Sequence, residues 1–425
     1  MGAASKFFQF LAALADATAD ERHGSDPIMH LFINALAASA GGGLTYIRNV
    51  IPHLLAAPDV RLTVALNPGL REELQNFGQV QFMELDVSPS RRFFYEQAVL
   101  PGIIRKQGAD ILVSAGNFAL RKSPVPQILL SRNSLYTSDD FYRDLFSRGE
   151  YRTWLDTRLK GMIARRSVVW AEVTVAPSEA FAAELRHWTG DKRILAIHHG
   201  FDRDAFTADV SSLAPQVEEK LKAAENALKL LFVSHYNYYR NFETLISALP
   251  LLRDILAPRA IRLLLTCELS PGANPGTYNT ESAASLVRRL GVSDMVVELG
   301  TIPYRQLHHL YRRADIYVTP AYTETFAHPL VEAMSSGLAI VAADLPVHRE
   351  ICNGAALYFQ RFSPKDLATC VAEIATSPER AGNFSAQGLE RAATFSWRKH
   401  VDSLLAVARS LFAAQSSSVS MERRA

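Results

Sequence analysis

Cysteine is nearly missing from this chain: among 425 residues there are three, Cys267, Cys352 and Cys370, odd in number and widely separated. That pattern argues against a disulfide framework or a cysteine-built zinc site and favours a reducing compartment. A surplus of one charge is missing too. With a formal net charge of +2 and 21% charged residues, a nucleic-acid binder working through phosphate contacts finds no support. No run approaches the roughly 20 apolar residues of a membrane span. The short apolar stretch Phe7 to Ala15 has no clear basic region before it, and Asp16 and Asp20-Glu21-Arg22 follow where a cleavage site would stand. A helix docked on the protein is therefore expected there in place of a signal peptide, with a membrane-surface helix as the alternative. Met1-Gly2-Ala3-Ala4-Ser5-Lys6 misses the myristoylation pattern at Lys6. Short repeats are absent, and low complexity is confined to the polar tail Gln415-Ser416-Ser417-Ser418.

What is there is an ordinary globular composition, 48% hydrophobic, in a chain long enough for two domains. From Pro27, β-branched runs alternate with amphipathic stretches. His30–Asn34, Val60–Leu66, Asp110–Ser114, Gln127–Leu130 and Val173–Ala176 read as strands, and Leu44–Leu55 and Leu70–Phe77 as helices. The stretch 207–226, with Ser211-Ser212 and Pro215, breaks the rhythm and reads as a linker. A second series follows through Lys229–Val233, Ile261–Thr266, Val296–Leu299, Ile316–Pro320 and Ala339–Ala343. Strands spaced by helices imply βαβ units and parallel sheets. The expected fold class is α/β with two doubly wound, Rossmann-like domains. They are divided as an N-terminal extension 1–26, a first domain 27–206, a linker 207–226, a second domain 227–395, and a C-terminal helix and tail 396–425.

Between the last two strands lies Glu324-Thr325-Phe326-Ala327-His328-Pro329-Leu330-Val331-Glu332-Ala333-Met334. Pro329 suits the first position of a helix and Gly337 suits its end, so the segment reads as strand, loop, short helix, strand. Glu324 then falls on the loop and Glu332 in the first turn. N–H groups at a helix start form an anion site, and the two carboxylates flank it as acceptors for hydroxyls. A ligand with phosphate in its middle and hydroxyls at both ends fits, and nucleotide sugars have that shape. Glu324, His328 and Glu332 are also spaced four apart, as metal ligands on one helical face would be. Pro329 argues against a helix running through all three. Two solvated surface glutamates are the plain alternative.

Two further loops follow first strands. Arg240 stands in His235-Tyr236-Asn237-Tyr238-Tyr239-Arg240-Asn241, at a strand's carboxyl end, where a cation meets a ligand phosphate. A structural hydrogen bond is the expected role of His235. In the first domain Gly41-Gly42-Gly43 precedes a helix and lets backbone approach a phosphate, with a ligand-free turn as the alternative. Gly41-Gly42-Gly43-Leu44-Thr45-Tyr46 lacks the last glycine of the dinucleotide fingerprint, so a dehydrogenase loses its main support.

Glu324 to Ala343, preceded by Leu299-Gly300-Thr301-Ile302-Pro303 and Leu310-Tyr311-Arg312-Arg313-Ala314-Asp315, resembles the donor-binding half of retaining glycosyltransferases of family 4, which have the GT-B fold. Ala176-Pro177-Ser178-Glu179, His199-Gly200-Phe201-Asp202, Arg349-Glu350-Ile351 and Phe395-Ser396-Trp397 echo it. The resemblance implies two Rossmann-like domains facing each other across a cleft. It implies that Glu332 holds the ribose hydroxyls and Glu324 faces the donor sugar. Backbone N–H groups from Thr325 through Phe326 and Ala327 to Leu330, with Arg240, hold the diphosphate. Gly300 and Ile302 border the base, and Gly42 and Gly43 close on the phosphate from the opposite domain. His235 and Asn133 complete the donor-binding set. The family often carries lysine where Arg240 stands, with another basic residue shortly before; here Ser234 and His235 occupy that region. Members often present a histidine after the strand 127–130; this chain has Ser131-Arg132-Asn133-Ser134, with Arg132 or Asn133 as the replacement.

The implied activity is a hexosyltransferase-like transfer from a nucleoside-diphosphate sugar to a glycan or lipid-linked hydroxyl, in polysaccharide biosynthesis, with retention. Neither a cofactor nor a metal is required. A non-catalytic nucleotide-binding scaffold of the same fold and a sugar-nucleotide epimerase are the alternatives. The expected location is cytoplasmic, with no nucleic-acid partner. The basic segment Arg143 to Arg166, with Trp154, Leu155, Leu159, Met162 and Ile163 at helical spacing, offers a peripheral contact with the inner membrane face. A core-packing helix with a solvated basic face is the favoured reading.

Overall fold

The computed structural model describes residues 28–38, 42–74, 76–274 and 278–422. The N-terminal extension 1–26 and Gly41 lie outside the described residues. The chain divides into two compact units. One holds the chain up to Thr137, Leu155–Gly200 and the stretch from Trp397; the other holds Ser138–Trp154 and Phe201–Ser396.

The first unit carries a seven-stranded parallel sheet from β1 (Met29–Asn34), β2 (Val60–Leu66), β3 (Gln81–Glu84), β4 (Ile111–Ser114), β5 (Gln127–Leu130), β6 (Val173–Ala176) and β7 (Ile194–Ala196), in the order β3-β2-β1-β4-β5-β6-β7. The central strands are buried on both faces, which is why they read as unbroken apolar runs. Alternation decides which side each residue serves. Leu31 and Ile33 of β1 pack with Val50, Ile51 and Leu54 of the helix Gly42–Leu55 and with Val401, Leu404 and Leu405 of the helix Trp397–Glu422. Phe32 turns the other way, to Leu100, Ile104 and Leu112.

The second unit has a six-stranded parallel sheet: β8 (Leu228–Phe232), β9 (Ile261–Leu265), β10 (Val296–Glu298), β11 (Ile316–Thr319), β12 (Ala339–Ala343) and β13 (Leu357–Phe359), ordered β10-β9-β8-β11-β12-β13. The strand order reverses between β8 and β11. That is the crevice where open parallel sheets bind ligands.

Several elements differ from the sequence reading. Leu70–Phe77 is not a helix: two short 3-10 turns, Pro68–Leu70 and Glu72–Leu74, occupy the region, and only Leu74 among their described side chains is buried. The stretch 207–226 contains the helix Pro215–Ala223, docked through buried Val217 and Leu221 and by Lys220 Nζ on the Glu298 carbonyl at 2.6 Å. Strands β3, β7 and β13 were not expected; they are short and lie at or next to sheet edges. The basic segment forms two helices, Asp139–Ser147 and Tyr151–Trp170, parted at Gly149 with φ of 73°. Contrary to the core-packing expectation, the longer helix buries Thr157, Gly161, Ala164, Ser167 and Val168 and leaves Leu155, Leu159 and Met162 in solvent.

Candidate functional site

Both loops at the reversal of the second sheet carry an expected residue. After β8, the 3-10 turn Tyr238–Arg240 ends in Asn241 in the left-handed region, φ 56°. Asn241 Nδ2 donates to the Pro320 carbonyl at 3.1 Å, Thr244 Oγ1 donates to Asn241 Oδ1 at 2.8 Å, and Tyr322 N–H donates to the Tyr239 carbonyl at 3.1 Å. The first and last of these bonds tie the β8 loop to the β11 loop, and the Thr244 hydroxyl fixes the Asn241 amide between them. Across the tie, Arg240 Nη1 donates to Glu324 Oε1. The guanidinium also lies over the Tyr239 ring, 4.9 Å from its centroid. Burial works against its charge, but the Glu324 carboxylate prevails and holds its ionisation above the usual value. Arg240 Nε is buried without a partner.

Downstream of Glu324, Ala327 takes a left-handed conformation, φ 62°, and the helix His328–Ser335 begins with Pro329 in its first turn. A non-glycine residue there is strained, a cost found where geometry serves a ligand. Of the N–H groups expected from Thr325 to Leu330, Pro329 has none and Leu330 already donates to the Ala327 carbonyl at 3.0 Å. Gly337, at φ 75°, follows the helix as expected. Glu324 lies ahead of the helix, so it shares no helical face with His328 and Glu332.

Glu332 sits one residue beyond the first turn, a correction to its expected place, and is 3% exposed. Its Oε2 accepts a 2.8 Å hydrogen bond from Tyr311 Oη. Burial lifts its carboxyl to about 7, with the Tyr311 hydroxyl pulling the other way. Tyr311 is itself raised, by burial first and by the Glu332 charge second.

Gly300, φ 75°, and Ile302 follow β10, whose neighbour is β9 and not β8. A Cβ at Gly300 would stand 3.3 Å from Glu268 Oε1. His235 is exposed, and its ionisation is lowered by partial burial and then by the Arg240 charge. Three expected residues belong to the first unit. Gly42 and Gly43 open the helix after β1, and a Cβ at Gly43 would come within 3.0 Å of Ala38 Cα. Asn133 spends its side chain locally, accepting from Leu135 N–H at 3.0 Å as the cap of a 3-10 turn.

Sequence reasoning missed two partners. Tyr311 comes from a different helix, Leu307–Tyr311, and only the buried carboxylate's need for a donor could have pointed to it. His348 is fully buried, with Nδ1 bonded to the Ala343 carbonyl at 2.7 Å and Nε2 left without a partner. Burial lowers its ionisation, and the charges of Glu324 and Arg240 both act on it. The loops and helices after β8, β11 and β12 thus hold a cation already matched by a protein carboxylate, a second, buried carboxylate, and an imidazole with one nitrogen unpartnered.

Residues 215–391 match the family described as glycosyl transferases group 1. Over 231 residues the chain is 28% identical to D-inositol 3-phosphate glycosyltransferase 2 of Catenulispora acidiphila, covering 53% of each protein. The chain spans about half the length of the curated relatives it matches. Its fold is like that of a sucrose-phosphate synthase from Thermosynechococcus elongatus, at TM-score 0.68 and 18% identity over 91% of this chain and 100% of that one. It is also like that of the Anabaena protein HepE solved with UDP-glucose, at TM-score 0.65 and 16% identity over 90% of this chain and 100% of that one. The fold class is GT-B, with two Rossmann-like domains in one chain.

Proposed function

We propose, from the match of residues 215–391 to the family described as glycosyl transferases group 1, that the chain moves a sugar from a nucleoside-diphosphate sugar to a hydroxyl of a glycan or lipid-linked acceptor, with retention of configuration. The observation that carries this reading is the Arg240–Glu324 pair at the sheet reversal, with Glu332 buried on the helix that follows Glu324. A diphosphate arriving there replaces one anion on Arg240 by another and frees Glu324 to face the donor sugar. Glu332 accepts hydroxyl bonds from the ribose, a task for its ionised form.

In the reaction the bond between the anomeric carbon and the β-phosphate oxygen breaks, and its electron pair leaves on the diphosphate. The acceptor oxygen bonds the same face of that carbon, and its proton passes to the departing phosphate oxygen. Arg240 and backbone N–H dipoles stabilise the charge that grows on the leaving group, and no protein nucleophile is called for. The complex of HepE with UDP-glucose makes uridine diphosphate the first ligand to try.

Titration calorimetry with uridine, guanosine and adenosine diphosphates tests the site. One of them binds the native chain, and Arg240→Ala and Glu332→Ala each weaken it at least about tenfold, or about 1.4 kcal/mol. Undiminished affinity in either variant sinks the role given to that residue.

A further inference from the structure

A globular helix normally buries its large apolar side chains and exposes small and polar ones. The helix Tyr151–Trp170 does the reverse over its last four turns. Thr157, Gly161, Ala164, Ser167 and Val168 face the interior. Leu155, Leu159, Met162 and Val169 are 54%, 49%, 58% and 55% exposed. Steps of four, three and seven residues put these four on one stripe, with exposed Arg166 seated between Met162 and Val169. Scattered exposed leucines are ordinary, whereas a contiguous stripe marks a surface that meets something apolar.

Charge says what that something is. The helix carries Arg152, Arg158, Lys160, Arg165 and Arg166 against a single acidic residue, Asp156. Asp156 is taken by Lys160 at 2.6 Å. Arg165 and Arg166 are exposed and pair with no carboxylate among the described residues. Four residues before Leu155 the stripe begins at Tyr151, 59% exposed; an aromatic with an apolar ring and a polar tip suits the headgroup boundary of a bilayer, and from Leu155 to Val169 the stripe is aliphatic with no further tryptophan or tyrosine anchor. Flexible aliphatic side chains flanked by arginines whose stems reach along an apolar surface suit lipid: the stripe enters the acyl boundary while the guanidinium groups stay with anionic headgroups. No described helix is long and apolar enough to cross a membrane, so the contact lies in the plane of the surface.

We propose that the Leu155–Leu159–Met162–Val169 face of this helix, with Arg158, Arg165 and Arg166, seats the chain on an anionic lipid surface. The contact does not rest on the transfer reaction and is read without turnover. The test is flotation of the full chain with phosphatidylcholine vesicles and with equimolar phosphatidylcholine and phosphatidylglycerol vesicles. The native chain floats with the anionic vesicles only, and added salt reduces the bound fraction. Leu159→Ser with Met162→Ser, and separately Arg165→Ser with Arg166→Ser, each lower the vesicle partition coefficient at least about tenfold while melting temperature stays unchanged. The salt series on the native chain keeps the test open if a variant folds poorly. Equal binding to both vesicles, binding to neither, or a concentration-dependent dimer abolished by Leu159→Ser with Met162→Ser overturns the proposal.

Discussion

Arg240 and Glu324 come from loops 84 residues apart in the sequence and meet as an ion pair at the point where the second sheet reverses. Each thereby neutralises the other, and a diphosphate must compete with Glu324 for Arg240. Glu324→Gln removes the competitor and keeps the shape. Nucleoside-diphosphate affinity is expected to rise about three- to tenfold, on the order of 1 kcal/mol for a partly exposed pair. Sugar transfer is expected to fall at least about a hundredfold, since the group facing the donor sugar has lost its charge. Calorimetry and turnover read the two separately. A fall in affinity would mean that Glu324 supports the nucleotide and does not compete with it.

Glu332 links folding to pH. Its carboxyl is lifted from 4.5 to about 7, so between those values the folded chain holds a proton that the unfolded chain has lost. Stability contributed by this group is present below 4.5 and falls by about 3 kcal/mol as pH rises to 7. Urea unfolding at the two ends of the window, with Glu332→Gln as the flat reference, measures it. Nucleotide binding runs the opposite way, strengthening as the carboxylate forms near 7. Tyr311→Phe deletes the bond that favours the ionised form, and the midpoint of the binding profile then moves to higher pH.

In the first unit the sign reverses. His400 Nδ1–H donates to the His198 carbonyl at 2.9 Å, which leaves Nε2 to accept from Tyr46 Oη at 2.8 Å. Burial pushes its ionisation down from 6.5 to about 4. The unfolded chain therefore binds the proton first. The contribution to stability is whole above 6.5 and falls by about 3 kcal/mol as pH drops to 4. Fluorescence of Trp397, whose ring centroid is 5.5 Å from that of His400, follows the transition. His400→Gln removes the slope; an unchanged acid slope in that variant would place its origin elsewhere.

The strands that matched the sequence reading to the residue, β2, β5, β6 and β12, are buried on both faces or nearly so, and such strands must be written as apolar runs. At the margins the pattern fades: β3 has no buried position and β7 has three residues. Glu324, Glu332 and Arg240 were legible because a proline, a glycine and two strand ends bracket them. Tyr311 and His348 were not, because each earns its place through a contact that no local period encodes. The outward stripe of the helix Tyr151–Trp170 was misread for a related reason. A face of Thr157, Gly161 and Ala164 looks like an exposed one until a close-packed neighbour is there to need it.

Residues 138–154 lie between strands of the first sheet in sequence yet fold with the second unit, and Arg148 is the reason we would test. Its Nε donates to Asp144 Oδ1 at 2.7 Å, its Nη2 meets Glu243 Oε1 at 3.0 Å, its Nη1 donates to Ser282 Oγ at 3.0 Å, and its guanidinium lies 4.3 Å from the Tyr238 ring centroid. Tyr322 Oη on Asp144 and Tyr238 Oη on Glu150, each at 2.8 Å, and Arg361 Nη1 on Asp140 Oδ2 at 2.6 Å add to the attachment. Burial opposes the charge on Arg148, but Glu243 and Asp144 outweigh it and hold its ionisation above the usual value. Arg148→Met leaves the Glu243 charge with only the neutral donors Tyr236 Oη and Ser282 Oγ on Oε1, its Oε2 being already buried without a partner. The expected loss is about 2 kcal/mol, below the value for a fully enclosed pair because both side chains keep some exposure. Removing the stranded charge as well, in Arg148→Met with Glu243→Leu, should recover at least about 1 kcal/mol. Hydrogen exchange should quicken across 138–154 in the single variant. If the double variant loses the sum of the two single losses, Arg148 and Glu243 act independently, and the segment is held by its other contacts at Asp140, Asp144 and Glu150.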